Sequence, residues 1–234
     1  MAARAGSRLG ARVVGVYAGG SVGLGGFDRR RSDLDVAIVV DGSLDARHKD
    51  ALVAALRHEA FACPARGLEL VVYRREAAVS NDVAAGFELN LNSGRGLRWR
   101  LDAAPDVADL HWFAIDRSIL RQHGLAIVGP PAREVFGDIS RDRLLPLVAA
   151  AVRWHLDGAA ATGDAILNAC RALRFGIEGV WSSKVDAGRW ALRHVPGPSV
   201  VAAALDARSG AQSPPRGEAN ELVRFVLEEL ERAH

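Results

Sequence analysis

The stretch YAGGSVGLGGFDRRRSDLDVAIVV, residues 17 to 40, constrains this chain more than any other. A short apolar strand (Val13, Val14, Val16, Tyr17) runs into a glycine-rich turn, which leads to a second apolar strand opening with Asp33 and Asp35. Side chains in a strand alternate faces, so the two carboxylates point the same way. The AIVV that follows is apolar on both faces, the pattern of a buried strand. Two like charges at the mouth of a buried strand repel and are costly to desolvate. A divalent metal held by oxygen ligands is the economical remedy. The plainer alternative is a turn or capping Asp followed by one exposed strand acid. The turn itself favours a ligand, because Gly19, Gly20, Gly23, Gly25 and Gly26 let the backbone approach closely and aim N–H groups at it. Ser21, at the start of a helical turn, adds a hydroxyl donor for an anion. Phosphate beside metal-binding carboxylates points to nucleotide chemistry. No G-x-x-x-x-G-K-[ST] occurs. The loop does not fit G-x-G-x-x-G either, whose ribose-binding acid would lie near the end of the second strand rather than at its start.

With 234 residues, 49% of them hydrophobic, the chain can bury one large core or two small ones. Its net charge of +2, with acids and bases interspersed, excludes the electrostatic footprint of a dedicated nucleic-acid binder. Cys63 and Cys170 are two unclustered thiols, which imply neither a disulfide framework nor zinc. The first ten residues lack the apolar segment of a secretion signal, and no apolar run is long enough to span a membrane. A cytoplasmic monomer is expected.

Residues 1–11 are small, basic and glycine-broken, and read as disordered or a short lead-in. Residues 45–61 carry Leu52, Leu56 and Ala60 at helical spacing, Gly67 breaks that helix, and LELVVY (68–73) forms a third strand. Glu69 alternates there with Val71 and Tyr73, on a face where a carboxylate needs a partner. Either a neighbouring arginine, Arg66 or Arg74, satisfies it, or it joins Asp33 and Asp35. FELNLNSG (87–94) alternates as a strand with Glu88, Asn90 and Asn92 on one face, which is either solvated or lines a substrate cleft. Residues 95–106 read as an irregular connection, Asp116 as the N-cap of a helix ending near His123, and LAIV (125–128) as a further short strand. From residue 141 onward only helices are expected: 141–157, 164–180, 184–195 with Ser183 as N-cap, 199–208 and 217–233. The fold class is therefore α+β, with a mixed sheet flanked by helices in residues 1–139 and an all-α bundle in residues 140–234.

Gly20-Ser21, eleven residues, then Asp33-Leu34-Asp35 resembles the signature of the polymerase-β-type nucleotidyltransferases. That resemblance makes residues 1–139 the catalytic domain, Asp33 and Asp35 the ligands of two Mg²⁺ ions, and Glu69 a third metal-adjacent carboxylate that takes the proton from the attacking hydroxyl. Members of that superfamily usually carry a longer helix before the first strand.

The second half is similar to a narrower group, the aminoglycoside adenylyltransferases that modify streptomycin and spectinomycin. The matching stretches are AIVGPPAREVF (126–136), AILNACRAL (165–173) and SSKVDAGRWALRHVP (182–196). The resemblance implies AMP transfer from Mg-ATP to a hydroxyl of a cationic small molecule, in a cleft that the helical domain closes. Gly20, Ser21, Ser32, Arg171 and Lys184 would bind the nucleotide. Lys184 has independent support, since only two of the 30 basic residues are Lys, and a compact ammonium suits phosphate. Arg171 alone, bordering an apolar stripe of Ile166, Cys170, Leu173 and Ile177, reads as a snorkelling surface residue. On the acceptor, the resemblance assigns Trp154, Asp157 and Asp164, with Glu88 as an acidic wall for a polycation. The joining segment GAAATG looks shorter and less acidic than in members that accept streptomycin, so spectinomycin is the favoured acceptor. The alternatives are the same chemistry on a protein side chain or an RNA end, and a non-catalytic nucleotide-binding module.

Overall fold

A computed structural model describes residues 1–105, 110–157 and 162–233. The chain divides into two compact units, Met1–Ile139 and Ser140–His234.

Among the described residues, the first unit is built on six strands, β1 (Val13–Ala18), β2 (Leu34–Val40), β3 (Leu68–Arg74), β4 (Phe87–Ser93), β5 (Arg100–Asp102) and β6 (Leu125–Val128). They form one sheet in the order β5-β4-β3-β2-β1-β6. Only β2 and β3 are parallel; every other pair is antiparallel. Helices α1 (Ala2–Leu9), α2 (Gly20–Gly23), α3 (Ala46–Leu56), α4 (Arg75–Val79), α5 (His111–His123) and α6 (Ala132–Val135) surround it. A parallel pair needs a crossover, and α3 supplies it between β2 and β3.

Alternation divides the sheet's side chains between two cores. Ile38, Val40, Leu68, Leu70, Val72, Leu89 and Leu91 pack on one face with Leu52 and Leu56 of α3 and with Ala5 and Leu9 of α1. Tyr17, Ala37, Val39, Tyr73 and Phe87 pack on the other with Phe113 and Leu120 of α5 and with Ala132, Val135 and Phe136. Each Val, Leu, Ile or Phe side chain among them contributes about 1.5–3 kcal/mol when fully buried.

Four local expectations are corrected. Residues 2–9 are helical, because Ala5 and Leu9, one turn apart, find a core to fill. Helix α3 starts as expected, with Asp45 accepting from the His48 N–H, but stops at Leu56 because Arg57 turns to φ −52°, ψ 147°. The segment expected to be irregular contains β5, an edge strand paired with β4 through Leu91 and Leu101. Helix α5 begins at His111, so Asp116 lies in mid-helix and caps nothing. Its end is as expected, with the Gly124 N–H donating to the Leu120 carbonyl at 2.7 Å.

The second unit holds α7 (Arg141–Asp157), α8 (Thr162–Glu178), α9 (Lys184–Ala191), α10 (Pro198–Ala207) and α11 (Arg216–Arg232). Helix α8 packs against all four others, and its Ile166, Leu167, Cys170 and Leu173 are buried. Ile177, expected on that stripe, is instead 58% exposed. Ser183 caps α9, accepting from the Asp186 N–H at 3.1 Å. Among the described residues, no helix is long and apolar enough to cross a membrane.

Candidate active site

The parallel register of β2 and β3 sets Asp35 opposite Glu69, and the β3–β4 register sets Asn92 opposite Glu69. Three polar side chains thus occupy one level across three strands. Asp33 lies two residues before Asp35, just outside β2. The antiparallel β1–β2 pairing ends at Ala18 and Val36, which delivers the glycine turn beside Asp35. The Gly19 N–H donates to the Asp35 carbonyl at 3.0 Å. Gly20 has φ +45°, and a Cβ there would lie 1.8 Å from Asp35 Oδ2. A Cβ on Gly67 would lie 2.7 Å from Asp33 Oδ1. Backbone without side chains is therefore pressed against both carboxylates, which is the reason glycine stands at these two positions.

Ser21 is the second residue of α2, and its Oγ is buried with no hydrogen-bond partner among the described residues. A buried hydroxyl without a partner calls for an explanation, and a ligand oxygen is one. Ser32 closes a tight turn in which its Oγ accepts from the Asp28 N–H at 3.0 Å and its N–H donates to the Asp28 carbonyl at 2.7 Å. Its hydroxyl keeps a proton to donate.

Glu69 holds its proton far more tightly than an ordinary glutamate. Burial is the main cause, followed by the charges of Asp35, Asp116 and Asp33 and a hydrogen bond with Asp35. Asp116 is a fourth carboxylate that sequence reasoning did not assign to the site. It reaches this face because α5 lays Phe113 and Leu120 on the sheet, and Asp116 and Arg117 fall between them at helical spacing. Arg117 is 1% exposed and donates to the carbonyls of Ala77, Ser80, Asp82 and Ala84, which ties α5 to the segment after α4. An acid and a base inside an apolar helical stripe are a legible signal once the helix is started at residue 111.

Of the two arginines weighed as partners for Glu69, Arg66 bonds Asp33 (Nε–Oδ1 3.2 Å) and Arg74 bonds Glu88 (Nε–Oε1 3.0 Å). Among the described residues, no three His, Cys, Asp or Glu side chains are gathered as a ready metal cage. The donors still fit a hard divalent cation: they are all carboxylate oxygens. The proton that Glu69 retains reflects its burial first and, after that, the neighbouring carboxylate charges of Asp35, Asp116 and Asp33.

Glu88 does not belong to this group. The β3–β4 register shifts between Val72 and Tyr73, which breaks the alternation that would align Glu88 with Asn90 and Asn92. Its carboxylate instead accepts from the Leu44 N–H at 3.0 Å and pairs with Arg74 and Lys49, at the end of the sheet away from Glu69. It is a buried structural acid, not a substrate wall.

The second unit gathers its own polar cluster. Asp164 Oδ1 accepts from Lys184 Nζ at 3.2 Å and lies 3.4 Å from Arg208 Nη1. Arg171 Nη2 donates to Asn168 Oδ1 at 3.1 Å, and the Asn168 amide lies 3.0 Å from His155 Nε2. Burial lowers the Lys184 pKa, and the charges of Arg171 and Arg208 add to that, while Asp164 opposes it. Trp154, 45% exposed, packs edge-on against His155 in the last turns of α7, and Asp157 ends that helix exposed. The sequence-derived nucleotide residues Arg171 and Lys184 thus share a cluster with Asp164, which had been grouped with the acceptor. Most of the GAAATG segment, residues 158–161, lies outside the described residues.

The family model for the C-terminal domain of aminoglycoside adenylyltransferases matches residues 134–232. No curated protein matches the chain. Among solved structures, one match is the spectinomycin adenyltransferase AAD(9) from Enterococcus faecialis, crystallised with ATP and spectinomycin. It is 17% identical, with a TM-score of 0.71 over 96% of this chain and 94% of that one. The helical unit is thus similar to the C-terminal domain of the aminoglycoside adenylyltransferases, and the chain as a whole shares its fold with AAD(9).

Proposed function

We propose that the chain transfers AMP from Mg-ATP to a hydroxyl of an aminocyclitol antibiotic, spectinomycin in preference to streptomycin. The observation that carries this reading is the pairing of Asp35 with Glu69 on adjacent strands, with the Gly20–Ser21 turn pressed against Asp35. The presence of spectinomycin in the AAD(9) structure supports the acceptor. The poverty of acids in the segment after α7 argues against the more heavily charged streptomycin.

In this reading the turn's N–H groups, the Ser21 hydroxyl and Ser32 bind phosphate oxygens. Arg171 and Lys184 bind the nucleotide's polyphosphate. Trp154 and Asp157 offer an aromatic face and a negative charge to the acceptor. Asp33, Asp35 and Glu69 would hold the Mg²⁺ ions, two by superfamily resemblance, which when bound offset charge on the phosphoryl oxygens and on the departing pyrophosphate. Glu69 takes the proton of the acceptor hydroxyl as that oxygen bonds to the α-phosphorus and the bond to pyrophosphate breaks. With Mg²⁺ bound, Glu69 would lose the proton it otherwise retains, leaving its carboxylate free to accept the hydroxyl's.

The test is AMP transfer from labelled ATP with Mg²⁺, offering spectinomycin and streptomycin separately. Label is expected on spectinomycin, none with Asp33→Asn, and none with Glu69→Gln although that variant still binds ATP. Wild-type turnover by Glu69→Gln would overturn the base assignment. Transfer to neither drug, with Mg-ATP bound, would move the acceptor to another chemical class.

A further inference from the structure

We infer that Arg208 completes, with Lys184 and Arg171, a three-cation site for the polyphosphate of the nucleotide, and that Asp164 is the site's resident counter-ion rather than an acceptor ligand. The identity of the anion rests on the adenylyl-transfer reading above.

Three elements meet at Asp164. It lies in the first turn of α8, Lys184 is the first residue of α9, and Arg208 follows α10 directly. One carboxylate oxygen, Oδ1, faces both cations, at 3.2 Å and 3.4 Å. The acid's side chain is 50% exposed, while those of Lys184 and Arg208 are 31% and 19% exposed. The cations therefore sit deeper than the acid that neutralises them. Arg171 adds a third positive charge close enough to act on Lys184. Among the described residues that act on Lys184, two further cations stand against the one carboxylate of Asp164, a surplus of positive charge in a partly buried place that a more highly charged anion would offset.

The chemistry selects that anion. A cationic acceptor would be repelled by the surplus charge, so Asp164 is poorly suited to receive one. A polyphosphate presents several oxygens at once, and guanidinium forks together with a compact ammonium bind such a chain well. The two helix starts at α8 and α9 add positive dipole ends to the same cluster. When the anion binds, Lys184 and Arg208 exchange the Asp164 oxygen for phosphate oxygens. Asp164 thus competes with the ligand for the very groups it holds in place.

That competition gives the two partners of one salt bridge opposite effects, which a merely structural bridge would not do. The experiment is calorimetric binding of inorganic tripolyphosphate to the full chain, with circular dichroism to confirm folding. Arg208→Gln is expected to weaken binding about tenfold or more, as loss of a charge-assisted hydrogen bond does. Arg208→Lys is expected to recover part of that loss, and Asp164→Asn to bind at least as tightly as wild type. In turnover, Arg208→Gln should raise KM for ATP and leave KM for the acceptor unchanged. Equal weakening by Arg208→Gln and Asp164→Asn would mean a structural bridge and overturn the inference. So would wild-type affinity in Arg208→Gln, or no tripolyphosphate binding by the wild type. Tripolyphosphate binding in this pattern by a chain that transfers AMP to nothing would sink the adenylyl-transfer reading and leave the anion site standing.

Discussion

A methyl group on Gly20 is the smallest change that probes the acid cluster. At φ +45° an L-residue is strained by about 1–2 kcal/mol, and the new carbon would lie 1.8 Å from Asp35 Oδ2. Only a shift of the turn or of the carboxylate relieves that clash. Gly20→Ala is expected to lower stability by about 2 kcal/mol or more in urea denaturation, and AMP transfer by about a hundredfold, since small misplacements at a reacting centre cost that much. Glu69 offers a second residue-scale test, in the metal-free protein. Its folded pKa stands well above its ordinary value of 4.5. As pH rises past 4.5 the unfolded chain releases this proton while the folded chain keeps it, so stability falls with pH until the folded pKa is passed. Measured against Glu69→Gln, wild-type stability should therefore decline from about pH 4.5 upward, and added Mg²⁺ should reverse the decline. A flat difference across that range would mean that neither burial nor the neighbouring carboxylates raise the Glu69 pKa. Asp33, Asp35 and Glu69 were legible in the sequence because a strand's period of two is strict and all three flank or occupy strand starts. Glu88 misled because a single register shift in β4 turns it away, and nothing in FELNLNSG announces a bulge.

Helix α5 carries more of the site than its sequence advertises. Its start was misread because Leu110 offers no capping side chain, whereas Asp116 resembles a cap in type. Ends marked by Gly124 or Ser183 were read correctly because glycine commonly stops a helix and Ser183 caps α9 with its own hydroxyl. The same misreading hid Arg117, whose guanidinium lies buried among four backbone carbonyls. No local pattern reveals that role, since the carbonyls come from residues 77–84, more than 30 positions away. Arg117→Met keeps the apolar stem and removes every donor, leaving those carbonyls unpaired. A loss of about 3–5 kcal/mol in urea unfolding is expected, with faster amide exchange over residues 77–86. Near-wild-type stability would show that water or another donor replaces the guanidinium. The β-sheet itself was legible because buried parallel and central strands such as AIVV and LELVV are nearly all apolar. The edge strand β5, RLD, was not, because two half-exposed charged residues around an exposed leucine carry no pattern.

At the scale of the whole chain, each unit has a core of its own, and the residues proposed to bind the nucleotide come from both: Gly20, Ser21 and Ser32 from one, Arg171 and Lys184 from the other. A ligand bound only by the folded state stabilises it by about 2.7 kcal/mol at a hundred times its Kd. For a chain of this length that corresponds to a rise in Tm of about 5–10 °C. Scanning calorimetry of the full chain with saturating Mg-ATP should show that rise. Replacing charges in either unit, Asp33→Asn in the first or Lys184→Gln in the second, should reduce it, because each removes part of the same binding energy. The metal dependence should separate the two contributions. Asp33→Asn should erase the difference between ATP with and without Mg²⁺, while Lys184→Gln should lower the shift under both conditions and leave that difference in place. If Lys184→Gln shifted as wild type does, the helical unit would have no part in holding the nucleotide, and the transfer chemistry would have to be carried by the sheet-bearing unit alone.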